Sequence, residues 1–165
     1  MSSKPEPMAP AAQLSRHFTF GELTRTSHGD LLEKNREEAQ AVVPKLRELC
    51  VNLLEPVRLK FGPVKIHSGY RGQAVNTAVG SKSSTSQHTK GEAVDFSVPG
   101  HRLEDVFAWI VKQSGIQFGQ AILEGKQKDV PTWIHLSLGA PHRAKDRCQQ
   151  ALTCWDGKTY NKWEG

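Results

Sequence analysis

The segment Glu92-Ala-Val-Asp-Phe-Ser-Val98 constrains the fold more than any other stretch of this chain. Its side chains alternate, with Ala93, Asp95 and Ser97 on one face of an extended strand and Val94, Phe96 and Val98 on the other. A carboxylate in the middle of a strand is costly to bury unless it is paired or coordinated. Trp133-Ile-His-Leu-Ser-Leu138 makes a similar demand, because His135 occupies an otherwise apolar strand and needs a partner. A second histidine, His88, precedes Asp95 in Ser86-Gln-His-Thr-Lys-Gly-Glu-Ala-Val-Asp95. Two imidazoles and one carboxylate make a ligand set that leaves a fourth zinc position open, which is what separates a catalytic zinc site from a structural one. The expectation is a metal-dependent hydrolase.

The remaining periodicities build an α+β domain around these strands. Val42, Val43, Leu46, Leu49, Cys50, Leu53 and Val57 fall on one helical face. Pro44 suits the first turn of that helix, Pro56 should kink or interrupt its far end, and Gly62-Pro63 stops it. Val64-Lys-Ile-His67 reads as a short strand, and Gly69 to Ser86 as loop or short helix. Leu103, Val106, Phe107, Ile110 and Val111 define a second amphipathic helix ending near Gly115. Gln120-Ala-Ile-Leu-Glu124 and Trp133 to Leu138 read as two strands joined by a polar loop from Gly125 to Pro131. The order predicts a small antiparallel sheet packed with helices. Residues 1–14, rich in Pro, Ala and Ser, are expected to form a loose tail, with Phe18 to Leu23 docking on a single domain over 15–165.

A chain of 165 residues suffices for one proper core. No stretch approaches the roughly 20 apolar residues of a membrane span, and the first ten residues lack the apolar region of a secretory signal. The net charge of +5 is compatible with an anionic partner without choosing one. No aromatic-basic nucleic-acid motif is present, so nucleic acid is not an expected partner. The cysteines form no CxxC pair; Cys50 reads as a buried small hydrophobe, and Cys148 and Cys154 are left undecided between thiols and a disulfide. His17, His28, His67, His101 and His142 are read as ordinary surface or hydrogen-bonded histidines.

Ser86-x-His88-x-x-Gly91-x-Ala93-x-Asp95, preceded by Ser68-Gly-Tyr-Arg71 and followed by Trp133-Ile-His135, resembles the zinc D-Ala-D-Ala carboxypeptidase and endopeptidase family of peptidoglycan peptidases, most closely its phage endolysin-like branch. The likeness runs from about Phe18 to Leu138. It implies zinc bound by His88, Asp95 and His135 in a Hedgehog/D-Ala-D-Ala peptidase-like fold, and Arg71 gripping a substrate carboxylate. A planar guanidinium suits that task as a lysine would not. An arginine that merely ties down its loop is the competing reading. Ser86 and Gln87 are candidates for hydrogen bonds to the substrate backbone.

One position departs from the family. Several members carry an acid three residues before the last ligand, where this chain has Thr132. Glu124, at the end of its strand, is the better candidate for the general base, provided that the strand register turns it to the metal face. Asp129 is the alternative, in a loop beside Lys126 and Lys128. Glu92 is a further candidate, although its odd spacing from Asp95 puts it on the opposite strand face. The resemblance implies a monomeric peptidase of peptidoglycan stem peptides, cutting a D-Ala-D-Ala or L-Ala-D-Glu type bond. As an endolysin it would gather in the host cytoplasm and act on the wall, with no stable membrane association. The rival expectation is a non-catalytic, zinc-stabilised wall-binding or virion module on the same fold.

Overall fold

The computed structural model describes residues 5–81 and 86–165. Helix α1 (Phe20–Leu23) opens with a capping box, in which the Thr19 hydroxyl accepts from the Glu22 amide and the Glu22 carboxylate accepts from the Thr19 amide. Phe18, Phe20 and Leu23 are buried, so this patch docks as expected. Part of the expected tail is also packed. The Met8 amide donates to the Gln40 side chain, the Pro10 carbonyl accepts from Gly21, and Leu14 is buried. Apolar anchors and satisfied backbone groups hold this segment. Residues 1–4 of that expected tail, and residues 82–85 of the expected loop, lie outside the described residues.

Helices α2 (Leu32–Ala39), α3 (Val43–Leu49) and α4 (Glu55–Phe61) follow. Pro44 and Pro56 each occupy a first turn. Between α3 and α4, Cys50–Leu54 forms a π-helical turn, and the Glu55 amide reaches back five residues to the Cys50 carbonyl. Pro56 has no N–H, and its ring would crowd the carbonyl four residues before it. The widened turn absorbs that misfit, so a π bulge stands where a kink was expected. Leu46, Leu49, Cys50, Leu53 and Val57 line one fully buried face, as the periodicity predicted.

The sheet has the order β1-β2-β4-β3-β5-β6, formed by β1 (Lys65–Ser68), β2 (Ala93–Ser97), β3 (Phe118–Gln127), β4 (Val130–Leu138), β5 (Gln150–Cys154) and β6 (Tyr160–Lys162). Its apolar face carries Val94, Phe96, Ala121, Leu123, Ile134, Leu136 and Leu138, all buried. The core on that side includes Leu49, Leu53 and Val57, together with Val106, Phe107 and Ile110 of α6 (Leu103–Lys112). A short α5 (Gln73–Ala78) crosses the expected loop region. Among the described residues no helix is long and apolar enough to cross a membrane.

Two expectations are corrected. The polar segment Gly125 to Pro131 is mostly strand: β3 and β4 are joined only across Lys128 and Asp129, and Asp129 turns the chain at φ 60°. Register shifts around Gly125 let this polar stretch stay paired. The sheet is also larger than expected and not purely antiparallel. Beyond Gly139 the chain adds β5, parallel to β3, and β6, antiparallel to β5. Trp155 and Trp163 of this segment pack on the core, and the Phe107 and Trp163 rings meet edge-on at 5.2 Å. Cys50, Cys148 and Cys154 are all free thiols.

Candidate metal centre and cleft

Strand parity and register bring distant residues to one point on the polar face. Asp95 pairs with His135 across β2 and β4, and Ile122 of β3 pairs with His135 on its other side. Directly opposite residues on neighbouring strands share a face, so Asp95, Ile122 and His135 form one row. The next row sets Glu124 opposite Trp133 and opposite Cys154 of β5, which pairs in turn with Tyr160 of β6. Glu124 therefore occupies the same face as His135, one row away.

His88 arrives from a 3-10 turn, Gln87–Lys90, that precedes β2. The Ser86 carbonyl accepts from both the amide and the hydroxyl of Thr89, and Gly91 closes the turn at φ 71°. Only glycine adopts that backbone without strain, and a Cβ there would press on the Val42 side chain at 3.0 Å.

His88 Nδ1 lies 2.8 Å from the Gly69 carbonyl. A proton on that nitrogen leaves Nε2 to face the Asp95 Oδ1 at 3.3 Å. His135 Nδ1 reaches the same oxygen at 2.9 Å. The two rings meet edge-on at 5.1 Å, and one donor atom from each of the three residues lies within 4.8 Å of the others. The His88 and Asp95 side chains are 4% and 13% exposed. Burial by itself would raise the Asp95 carboxyl, yet the charge of His88, hydrogen bonds from His135 and His88, and the charge of His135 hold it far below the usual carboxylate range. Two nitrogens and one oxygen, borderline in softness and closely packed, fit zinc. The Gly69 carbonyl supplies the outer hydrogen bond that would orient the His88 imidazole as a ligand.

These residues line a cleft of about 830 Å³. Arg71, Ser86, Gln87 and Glu124 also line it, so of the residues singled out in the sequence for this site only the alternative base Asp129 stays outside. Burial and the nearby Asp95 charge push the Glu124 carboxyl above its ordinary range, opposed by His135, Trp133 and Arg71. Burial lowers the Arg71 guanidinium, while Asp95 and Glu124 favour its charge. Its Nε is buried without a hydrogen-bond partner among the described residues. Asp129 lies exposed at the hairpin turn, apart from the cleft lining.

Glu92 does not sit where its spacing suggested. It precedes the first regular residue of β2, so strand parity does not govern it, and it lines the cleft with its carboxylate held 2.7 Å from Lys45 Nζ. His142, read as a surface or hydrogen-bonded histidine, is hydrogen-bonded and also lines the cleft. Its Nε2 lies 2.8 Å from Glu48 and its Nδ1 3.9 Å from Glu92. Arg143, Arg147 and Tyr160 join the lining without having been singled out. Nothing local in the sequence marks them, because their segment reaches the cleft through contacts with distant parts of the chain, among them the parallel pairing of β5 with β3.

A family model described as Peptidase M15 matches residues 16–137. That span contains His88, Asp95, His135, Arg71 and Glu124, and ends before His142, Arg143 and Arg147. No curated protein matches the chain.

Proposed function

We propose, for a chain that belongs to the peptidase M15 family, a zinc peptidase that hydrolyses stem-peptide bonds of peptidoglycan. The family makes the chain a metallopeptidase; the metal, the bond and the residue roles are our reading. One observation carries it: two imidazole nitrogens converge on a single buried Asp95 oxygen, and Glu124 stands one row away on the same sheet face.

His88, Asp95 and His135 would hold the ion. What zinc supplies there is Lewis acidity toward a peptide carbonyl and a water whose pKa is lowered to about 7. Glu124 is the general base: its carboxylate takes a proton from the attacking water and returns it to the departing amine. Its raised affinity for protons suits both halves of that transfer. Arg71 binds a substrate carboxylate, which supplies the acceptor that the buried Nε lacks. Ser86 and Gln87, at the mouth of the 3-10 turn, hydrogen-bond the substrate backbone.

Thr132 gives the binding-module alternative no support. It lies an odd number of residues from His135 and is exposed on the other strand face, while Glu124 provides a carboxyl on the site face. We assign the protein to the phage endolysin type, a monomer acting on the bacterial wall, on the strength of the motif resemblance. The test is mass spectrometry of products released from purified peptidoglycan by zinc-loaded protein. The reading expects new amine and carboxyl termini within the stem peptide, lost on chelation and restored by zinc. Release of sugar fragments alone, or no release, contradicts it.

A further inference from the structure

Arg143 and Arg147 stand in the wall of the cleft, on the segment that follows β4 and lies beyond the stretch matched by the family model. Arg143 is fixed in place. Its Nε donates to the Arg147 carbonyl at 2.6 Å, and its Nη2 donates to Gln150 Oε1 at 3.1 Å. Gln150 is itself held by Gln120 Nε2 at 3.0 Å, on the strand that carries Ile122 and Glu124. The aliphatic stem lies against Gly119, where a Cβ would meet Arg143 Cδ at 2.9 Å. The segment is pinned again by His142 bonding Glu48 on α3.

Among the described residues, neither arginine makes an ion pair with a carboxylate. Of the acids that line the cleft, Glu92 is held by Lys45 and Asp95 by two imidazoles, and Glu124 makes no ion pair with either arginine among the described residues. Burial and the neighbouring Arg147 charge both lower the Arg143 guanidinium, as expected of two cations held close without an acid between them. A guanidinium held rigid by its own backbone, beside a second cation and open to a cleft, is a receptor for a planar anion.

We propose that Arg143 and Arg147 form a second carboxylate-binding subsite, which selects peptides carrying a free side-branch carboxylate. Arg71 and this pair then offer cationic groups from two separate segments of one cleft. The inference rests on the peptidase reading for the identity of the ligand, a peptide with a side-branch carboxylate. Its test reads binding rather than turnover.

Calorimetry on the full 165-residue chain, stripped of metal with EDTA and dialysed, compares two probes. One is L-Ala-γ-D-Glu-L-Lys, amidated at its C-terminus and carrying the free D-Glu α-carboxylate; the other has that carboxylate replaced by a carboxamide. The wild type is expected to bind the acid about tenfold more tightly. Arg147→Gln is expected to erase most of that preference, and so is Arg143→Gln. Among the described residues Arg147 donates no side-chain hydrogen bond that orders the segment, so its variant remains informative if Arg143→Gln fails to fold. Equal binding of the two probes by the wild type overturns the proposal. So does a preference that survives Arg147→Gln but vanishes in Arg71→Gln. Discrimination without any hydrolysis by the zinc-loaded protein would uphold the subsite and sink the peptidase reading. Hydrolysis without discrimination would do the reverse.

Discussion

Asp95 and His135 face each other directly across β2 and β4, and 2.9 Å separates the carboxylate oxygen from the imidazole nitrogen. The residues are 40 positions apart in the chain, so sheet register rather than local sequence makes the contact. A slip of one residue would turn His135 to the core face. The apolar positions Ile134 and Leu136, both fully buried, enforce the register. The same side chains that build the core therefore aim the candidate ligands.

Asp95→Asn keeps the size of the side chain and removes its charge. Metal affinity should fall by more than the roughly 10- to 100-fold that accompanies loss of a supporting hydrogen bond. Competition with a chromophoric chelator measures it. Unchanged affinity would remove Asp95 from the ligand set.

Gly69→Ala tests the support behind His88. A Cβ at Gly69 would collide with the Leu23 carbonyl, which accepts the Tyr70 amide at 2.7 Å. The Gly69 carbonyl that orients His88 must then shift. The variant should lose about 1–3 kcal/mol of stability and bind metal about tenfold more weakly, read by thermal unfolding and chelator competition. A destabilised variant with unaltered affinity would show that the carbonyl does not orient the ligand.

Glu55 supplies a prediction about pH and stability. Its carboxylate accepts from the Ser15 hydroxyl at 2.6 Å, from the His17 amide at 2.8 Å and lies 2.7 Å from His17 Nδ1. Burial opposes ionisation, but these hydrogen bonds and the His17 charge outweigh it and hold the group below its ordinary value of 4.5. A carboxyl depressed by folding stabilises the fold fully above its unfolded value, and that contribution is lost as pH falls through the folded one. Glu55→Gln should therefore cost about 1–2 kcal/mol at pH 7, with the gap to the wild type closing under acid. Urea titrations at several pH values measure it; a gap independent of pH would contradict the assignment.

As the proposed general base, Glu124 would set the pH dependence of activity. Its carboxyl is raised, first by burial and then by Asp95, and a base works only when deprotonated. Catalytic efficiency should therefore rise with pH through a midpoint above the ordinary glutamate range. Arg71→Gln removes a cation that lowers this group, so the same limb should move further up. A limb that moves down in that variant would exclude Glu124 as its origin.

Much of the site was legible in the sequence, because strand parity is a local property. Alternation alone placed Asp95 opposite the apolar positions of its strand, and the Ser86-to-Asp95 spacing singled out His88. What escaped depends on contacts between distant segments. The face of Glu124 follows from a register that the shifts around Gly125 set. Glu92 was misplaced because parity was extended one residue beyond the strand. His142 looked ordinary because its partner Glu48 lies 94 positions away. β5 and β6 are short, with Gln149 at φ 57° just before β5, and the pairing of β5 with β3 and of β6 with β5 has no local signature.

The most direct test of the account is Glu124→Gln, assayed on purified peptidoglycan with zinc content measured on the same sample. The account predicts that metal stays bound while peptide release falls by roughly 100- to 10,000-fold, the contribution of a general base. Cleavage at the wild-type rate by the zinc-loaded variant would contradict it.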